Sequence, residues 1–210
     1  MLSNVTYRTL NFPFEKENAS RIVDKKYRQE GYIRDARESS QGIASYLQEE
    51  SSNTFGVFVE GEMYGTLSLV FDGDRGLPMD SIYRNEVDLF RDKNYKLGEV
   101  VQFATDKDIS KKYLSLLEIP ISSVPLFGYL LSYADKNKLD YLCISVNPKH
   151  ATFYSLIGFK KFGELKHYDS VDAPAIAMCL SMKDVTSESF KKNTVTKMIA
   201  SFFDQAKVEV

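Results

Sequence analysis

The run TFGVFVEGEMYGTLSLVFD, residues 54–72, constrains the fold more than any other stretch of this chain. Two apolar segments rich in β-branched and aromatic residues flank Glu60-Gly61-Glu62, where glycine supplies the backbone freedom of a tight hairpin turn. A sheet with antiparallel neighbours is therefore set early. Further on, strand-like runs at 96–106 (KLGEVVQFATD) and 141–146 (YLCISV) are separated by the helical stretch VPLFGYLLSYADKNKL. A helical crossover of this kind joins parallel strands. KKFGELKHY and PAIAMCLSM then read as two more strands, antiparallel near the end, so the sheet is mixed and the class is α/β (α+β).

The remaining segments fill in the order. TYRTLNF (6–12) alternates as a strand, and Ala19, Ile22, Val23 and Tyr27 recur at helical spacing. Residues 34–53, rich in Arg, Glu, Ser and Gln, read as a mobile surface segment. DGDRGLPMD (72–80) is a turn cluster before a helix over 81–91. Residues 107–123 lack a clear pattern and lead to a helix expected to begin near Ser122 or Ser123, with Pro125 in its first turn. Val195, Met198, Ile199, Phe202, Phe203 and Ala206 give a terminal amphipathic helix.

At 210 residues, with no internal repeat, the expectation is one domain over 1–184, with the helix of 185–210 packed on it. The net charge of −2, with both signs interspersed, argues against a nucleic-acid footprint. No apolar run is long enough to cross a bilayer, and MLSNVTYRTL does not read as a signal peptide. Cys143 and Cys179 sit in apolar strand-like runs and read as buried free thiols of a cytoplasmic protein; a disulfide between neighbouring strands stays open. With His150 and His167 they form no ligand pair at zinc spacing, so no metal is expected.

VNPKHATFYSLIGF (146–159) carries the strongest local pattern. Asn147 can cap a helix with Pro148 at its first position, and Gly158 can end it in a left-handed cap with Phe159 folded back. His150 and Tyr154 lie four apart on one face, and Phe153 and Ile157 on another. Spacing alone fits either a packed, capped helix or the rim of an active site.

The strand followed by Asn147, Tyr154 and Gly158-Phe159 resembles the last motif of the GNAT acyltransferases. NPKHATFYSLIGF is similar to the signature of the long-chain N-acyl amino acid synthases, relatives of the acyl-homoserine-lactone (autoinducer) synthases. EGYI (30–33), FGVFVEGEMYGTLSLVFD (55–72), GLPMD (76–80), LGEVVQFATD (97–106) and VDAPAIAMCLSM (171–182) sit in matching order, and the segment beyond Asp184 is not covered. The resemblance implies a GNAT-like sheet that splays between the strands at 96–106 and 141–146, with helices on both faces. It also implies transfer of a fatty acyl group from a thioester to a small amine such as an amino acid, with acyl carrier protein rather than free coenzyme A as donor. Acetyl-CoA-using relatives carry a glycine-rich pyrophosphate loop after the first of these strands, whereas DKDISKKYLSLLEIPISSVP has no glycine. A single phosphate, as on acyl-phosphopantetheine, can instead sit at a helix N-terminus near Ser122–Ser123, and Lys111 and Lys112 can face an acidic carrier or simply be solvated.

Aminolysis of a thioester needs a base, a polarised carbonyl and help for the leaving thiolate. Glu99 lies in an otherwise apolar strand, where burial raises a carboxyl pKa, and it matches the glutamate of the family's Glu-x-x-Arg motif. Tyr154 matches the tyrosine that protonates the leaving sulfur, with His150 beside it to orient it or close the pocket. A core tyrosine is the plainer alternative. The N–H groups of Phe103 and Ala104 can polarise the carbonyl if the strand bulges, which is also what Glu99 and Gln102 need to line one site. Gln102 and Ser68 stand where relatives carry arginines, and Val23 also replaces an expected arginine, so the acceptor side differs. Within the same fold the competing expectations are a short-chain acetyl-CoA acetyltransferase and a non-catalytic acyl-chain-binding protein.

Overall fold

The computed structural model describes residues 4–32, 51–113, 118–169 and 172–208, and of 118–123 and 207–208 the backbone only. Strand β1 (Val5–Thr9) is followed by helix α1 (Pro13–Glu30), then β2 (Ser52–Val59) and β3 (Glu62–Phe71). Helix α2 (Asp80–Arg91), strand β4 (Leu97–Thr105) and helices α3 (Lys107–Tyr113) and α4 (Glu118–Lys136) come next. β5 (Tyr141–Val146) leads through a 3-10 turn (Pro148–His150) into α5 (Ala151–Ile157). Short strands β6 (Lys160–Lys161) and β7 (Lys166–Tyr168), long β8 (Ala173–Ser181), α6 (Met182–Val185) and α7 (Thr194–Val208) complete the chain.

The strands lie in the order β1-β2-β3-β4-β5-β8-β6, with β7 also paired to β8. The hairpin turns at Glu60 and Gly61, both at positive φ (50° and 82°), the conformation a two-residue hairpin loop favours. β3 and β4 run antiparallel: the Asp72 N–H donates to Leu97 O at one end, and the Asp106 N–H to Tyr64 O at the other. β4 and β5 are parallel, paired as Leu97↔Tyr141, Gly98↔Leu142 and Glu99↔Cys143. β5 and β8 are antiparallel along the whole of β5. The sheet is thus mixed, with β4 and β5 parallel where the crossover helix α4 joins them.

The chain divides into two compact units, Met1–Leu69 with Val101–Phe127, and Val70–Val100 with Gly128–Val210, the boundaries falling within β3, β4 and α4. In the first, Ile22 and Val23 of α1 pack on Ala104 of β4, and Ala19 packs with Leu10 and Phe58. α1 starts with a capping box through the buried Glu15, which is ion-paired to Arg8, and ends at Gly31 with φ 77°. In the second, Leu77, Met79, Tyr83 and Val87 pack against Leu97, Cys143 and Ala177.

Three expectations are corrected. Residues 107–113 are not patternless: Asp106 accepts from the N–H groups of Asp108 and Ile109 and starts α3, while 114–117 lie outside the described residues. α4 begins at Glu118, so Ser122 and Ser123 lie inside the helix rather than at its N-terminus, and Pro125 is interior. KKFGELKHY is not one strand: the N–H groups of Phe162 and Gly163 both reach Ala177 O, a bulge that separates β6 from β7. Of the expected mobile segment, residues 34–50 lie outside the described residues, while Ser52 and Asn53 open β2.

Candidate active site

β4 is an apolar strand interrupted by one carboxylate. Glu99 is 2% exposed, and its Oε2 accepts a 2.8 Å hydrogen bond from the Met79 N–H. Burial pushes its pKa up to about 8; the Met79 hydrogen bond pulls the other way, and the Asp80 charge adds to the rise. A carboxyl poised near 8 exchanges protons in the range in which amines do, as a general base requires. Its lateral neighbour in the sheet is Cys143, whose thiol burial holds protonated. Cys143 and Cys179 face each other across β5 and β8 as free thiols.

Three residues beyond Glu99 the strand leaves the extended region. Gln102 has φ 58°, a left-handed conformation that costs a residue with a Cβ about 1–2 kcal/mol. The irregularity breaks simple alternation, so Glu99 and Gln102 are both buried despite odd spacing. Within the first unit Phe103 stacks edge-on against Phe127 at 5.2 Å, and Ala104 is core. Ser68 is fully buried, 2.9 Å from the Thr54 hydroxyl, a partnership inside the hairpin.

The Asn-Pro stretch folds as its caps demand. Asn147 Oδ1 accepts from the Lys149 N–H at 3.1 Å with Pro148 in the first turn. Gly158 ends α5 at φ 111°, and the Phe159 N–H donates to Tyr154 O. The stretch is a 3-10 turn joined to a helix rather than a single helix, with His150 at the junction. Ile157 and Phe159 are buried; Tyr154 is half-buried, edge-on to Phe153 at 5.2 Å and to Phe159 at 5.9 Å. Glu99, Asn147, His150 and Tyr154 all belong to the second unit, and Ser68, Gln102, Phe103 and Ala104 to the first.

Sequence reasoning missed the environment of Glu99. The turn cluster 72–80 delivers the Met79 N–H, and Arg91 at the end of α2 ties that turn down through Asp72 and Asp80. The glycine and proline of this cluster mark a turn but not the strand it reaches. A surface cleft of about 370 Å³ lined by Phe71, Asp72, Tyr95, Lys96, Leu97, Asn137 and Leu139 lies at the N-terminal end of β4 and includes none of these candidates. Among the described residues no cluster of His, Cys, Asp or Glu is placed to hold a metal, and no helix is long and apolar enough to cross a membrane.

The model of the family described as N-acyl amino acid synthase FeeM matches residues 18–181. The structure of FeeM, an N-acyl amino acid synthase from uncultured soil microbes, is 42% identical, covers 93% of this chain and 98% of its own, and superposes with a TM-score of 0.78. An N-acetyltransferase from Staphylococcus aureus Mu50 shares the fold at 14% identity, with 86% and 99% of the two chains covered and a TM-score of 0.53. The Escherichia coli ribosomal-protein-S18-alanine N-acetyltransferase does so at 16% identity, with 85% and 94% covered and a TM-score of 0.53. No curated protein matches the chain. The mixed sheet with its parallel β4–β5 pair, the buried glutamate on β4 and the match across residues 18–181 agree: the chain belongs to the FeeM family of N-acyl amino acid synthases, acyltransferases on the GNAT fold.

Proposed function

We propose that the protein transfers a long-chain fatty acyl group from the phosphopantetheine thioester of an acyl carrier protein to the amine of an amino acid. The observation that carries this reading is Glu99, a buried carboxyl with its pKa raised to about 8 inside the strand where the family resemblance expects the base. Glu99 takes a proton from the amine, whose nitrogen attacks the thioester carbonyl carbon. The tetrahedral adduct collapses with C–S cleavage, and Tyr154 gives its hydroxyl proton to the leaving thiolate. The absence of glycine between Asp106 and Gly128 and the helix α3 immediately after β4 support a carrier-bound donor over free coenzyme A, whose pyrophosphate needs a backbone cradle. The FeeM structure is that of an N-acyl amino acid synthase, which supports an amino acid as acceptor.

The test is incubation with long-chain acyl carrier protein and a mixture of amino acids, with products read by mass spectrometry. An N-acyl amino acid is expected, and Glu99→Gln should lower kcat by about 10²–10⁴-fold. No acylated amine at any chain length would sink the reading, and unchanged turnover in Glu99→Gln would remove Glu99 from the mechanism.

A further inference from the structure

Arg91 is the most heavily bonded cation among the described side chains. Its Nε and Nη2 bind the two Asp72 oxygens at 2.8 Å each. Nη1 and Nη2 bind the two Asp80 oxygens at 3.0 and 2.7 Å, and Nη1 also reaches Asp88 Oδ1 at 2.8 Å. A guanidinium has five N–H donors, and here each meets a carboxylate oxygen. Asp72 directly follows β3 and Asp80 opens α2, so one side chain ties together the two ends of the 73–79 turn.

The turn is fixed further from within. Asp80 Oδ2 accepts from the Leu77 N–H at 2.9 Å, and the Asp80 N–H donates back to Leu77 O. Gly76 sits at φ 72°, where a Cβ would lie 2.1 Å from Asp80 Oδ2, so the carboxylate can take this position only over a glycine. The Tyr168 hydroxyl donates to Pro78 O at 3.0 Å. Met79, which follows, gives its carbonyl to the N–H groups of Ile82 and Tyr83 and its own N–H to Glu99.

We propose that Arg91 is a positioning residue for the base: by clamping Asp72 and Asp80 it holds the 73–79 turn so that the Met79 N–H meets the Glu99 carboxyl and the Asp80 charge beside it is neutralised. The proposal rests on Glu99 as the base for its catalytic consequence, but not for the geometry. Of the ionisable groups near Glu99, Asp80 on α2 bears on it directly and Cys143 is its partner on β5, while Arg91 binds Asp80 and Asp72 in turn. Removing the Arg91 charge leaves Asp80 unbalanced and loosens the Met79 donor, and both effects favour protonated Glu99. Asp80→Asn removes that charge while its amide oxygen can still accept from the Leu77 N–H, so the turn is kept and the shift runs in the opposite direction.

The readout is the titration midpoint of the Glu99 carboxyl, from infrared difference spectra of each protein against its Glu99→Gln counterpart, together with the acidic limb of the kcat/KM pH profile. Arg91→Gln should move both upward by about one pH unit, and Asp80→Asn should move both downward. Arg91→Lys keeps the charge with three donors in place of five and should shift upward by less; it serves if Arg91→Gln fails to fold. A purely structural Arg91 would lower Tm without moving the midpoint, and unmoved midpoints in Arg91→Lys and Asp80→Asn would overturn the proposal. If the midpoints move as expected while Glu99→Gln turns over normally, the positioning stands and the catalytic role of Glu99 falls.

Discussion

A glutamate placed wholly inside a sheet has an energetic signature that does not depend on turnover. Glu99 titrates near 4.5 when unfolded and about 8 in place, so between these values the folded state binds the additional proton. Stability therefore falls as pH rises from about 4.5 through about 8 and is level beyond, because ionising the buried carboxyl costs the native state alone. A tenfold change in proton affinity is worth about 1.4 kcal/mol, so the penalty at alkaline pH is of the order of a few kcal/mol. Glu99→Gln keeps an acceptor for the Met79 N–H but has nothing to ionise. Its unfolding free energy, from urea titrations at pH 5 and pH 9, should gain on the wild type by a few kcal/mol between the two pH values. An equal difference at both would show that Glu99 is not held protonated by burial. The same variant thus separates loss of the proposed base from loss of the fold: turnover is expected to drop in a protein that gains stability on the wild type as pH rises.

At the level of elements, the second unit is closed by a contact between α4 and α7 that admits no side chain. A Cβ at Gly128 would lie 2.7 Å from Ile199 O and 2.7 Å from Phe202 Cβ. Alanine is favoured over glycine within a helix by about 1 kcal/mol. At 2.7 Å from a backbone oxygen that cannot swing aside, the cost lies toward the upper end of the about 1–3 kcal/mol of overpacking, so the clash prevails. Gly128→Ala should lower Tm by roughly 2–8 °C, and a rise in Tm would mean that the helices do not meet there. Such contacts are what the sequence hides. The hairpin and β5 were legible, because period-two alternation and a turn glycine are local signals, and β5 spans the expected 141–146. α3 was not, because its first turn depends on Asp106, which is itself held by Lys25 at 3.0 Å from 81 residues away. The Ser-Ser-Val-Pro run looked like a helix start, yet α4 begins earlier and accommodates Pro125. Glu99 stood out as the one charge in an apolar strand. The Met79 N–H, 20 residues distant, and the Arg91 clamp bear on it through pairings that no periodicity encodes.

For the whole molecule, a net charge of −2 offers no long-range attraction to the acidic carrier protein proposed as donor, so steering toward it would have to come from a local cationic patch. α3 carries Lys107, Asp108, Lys111 and Lys112. Two of these charges are engaged within the first unit: Asp108 with Lys25 at 2.6 Å, and Lys112 with Glu62 at 2.6 Å. Lys112, which could face a carrier or be a solvated charge, is exposed but tied to the hairpin, and the exposed cations of the helix outside these ion pairs are Lys107 and Lys111. Reversing both, Lys107→Glu with Lys111→Glu, should raise KM for the acyl carrier protein by about three- to tenfold at low salt and by less at 0.5 M, since exposed charges act through a screened field. KM for the same acyl group on free pantetheine should not move, because that donor brings no acidic surface. Steady-state kinetics with the two donors at two ionic strengths decides the matter. A matched rise for both donors would place the lysines at the thioester rather than at the carrier, and no change for either would leave α3 out of donor recognition.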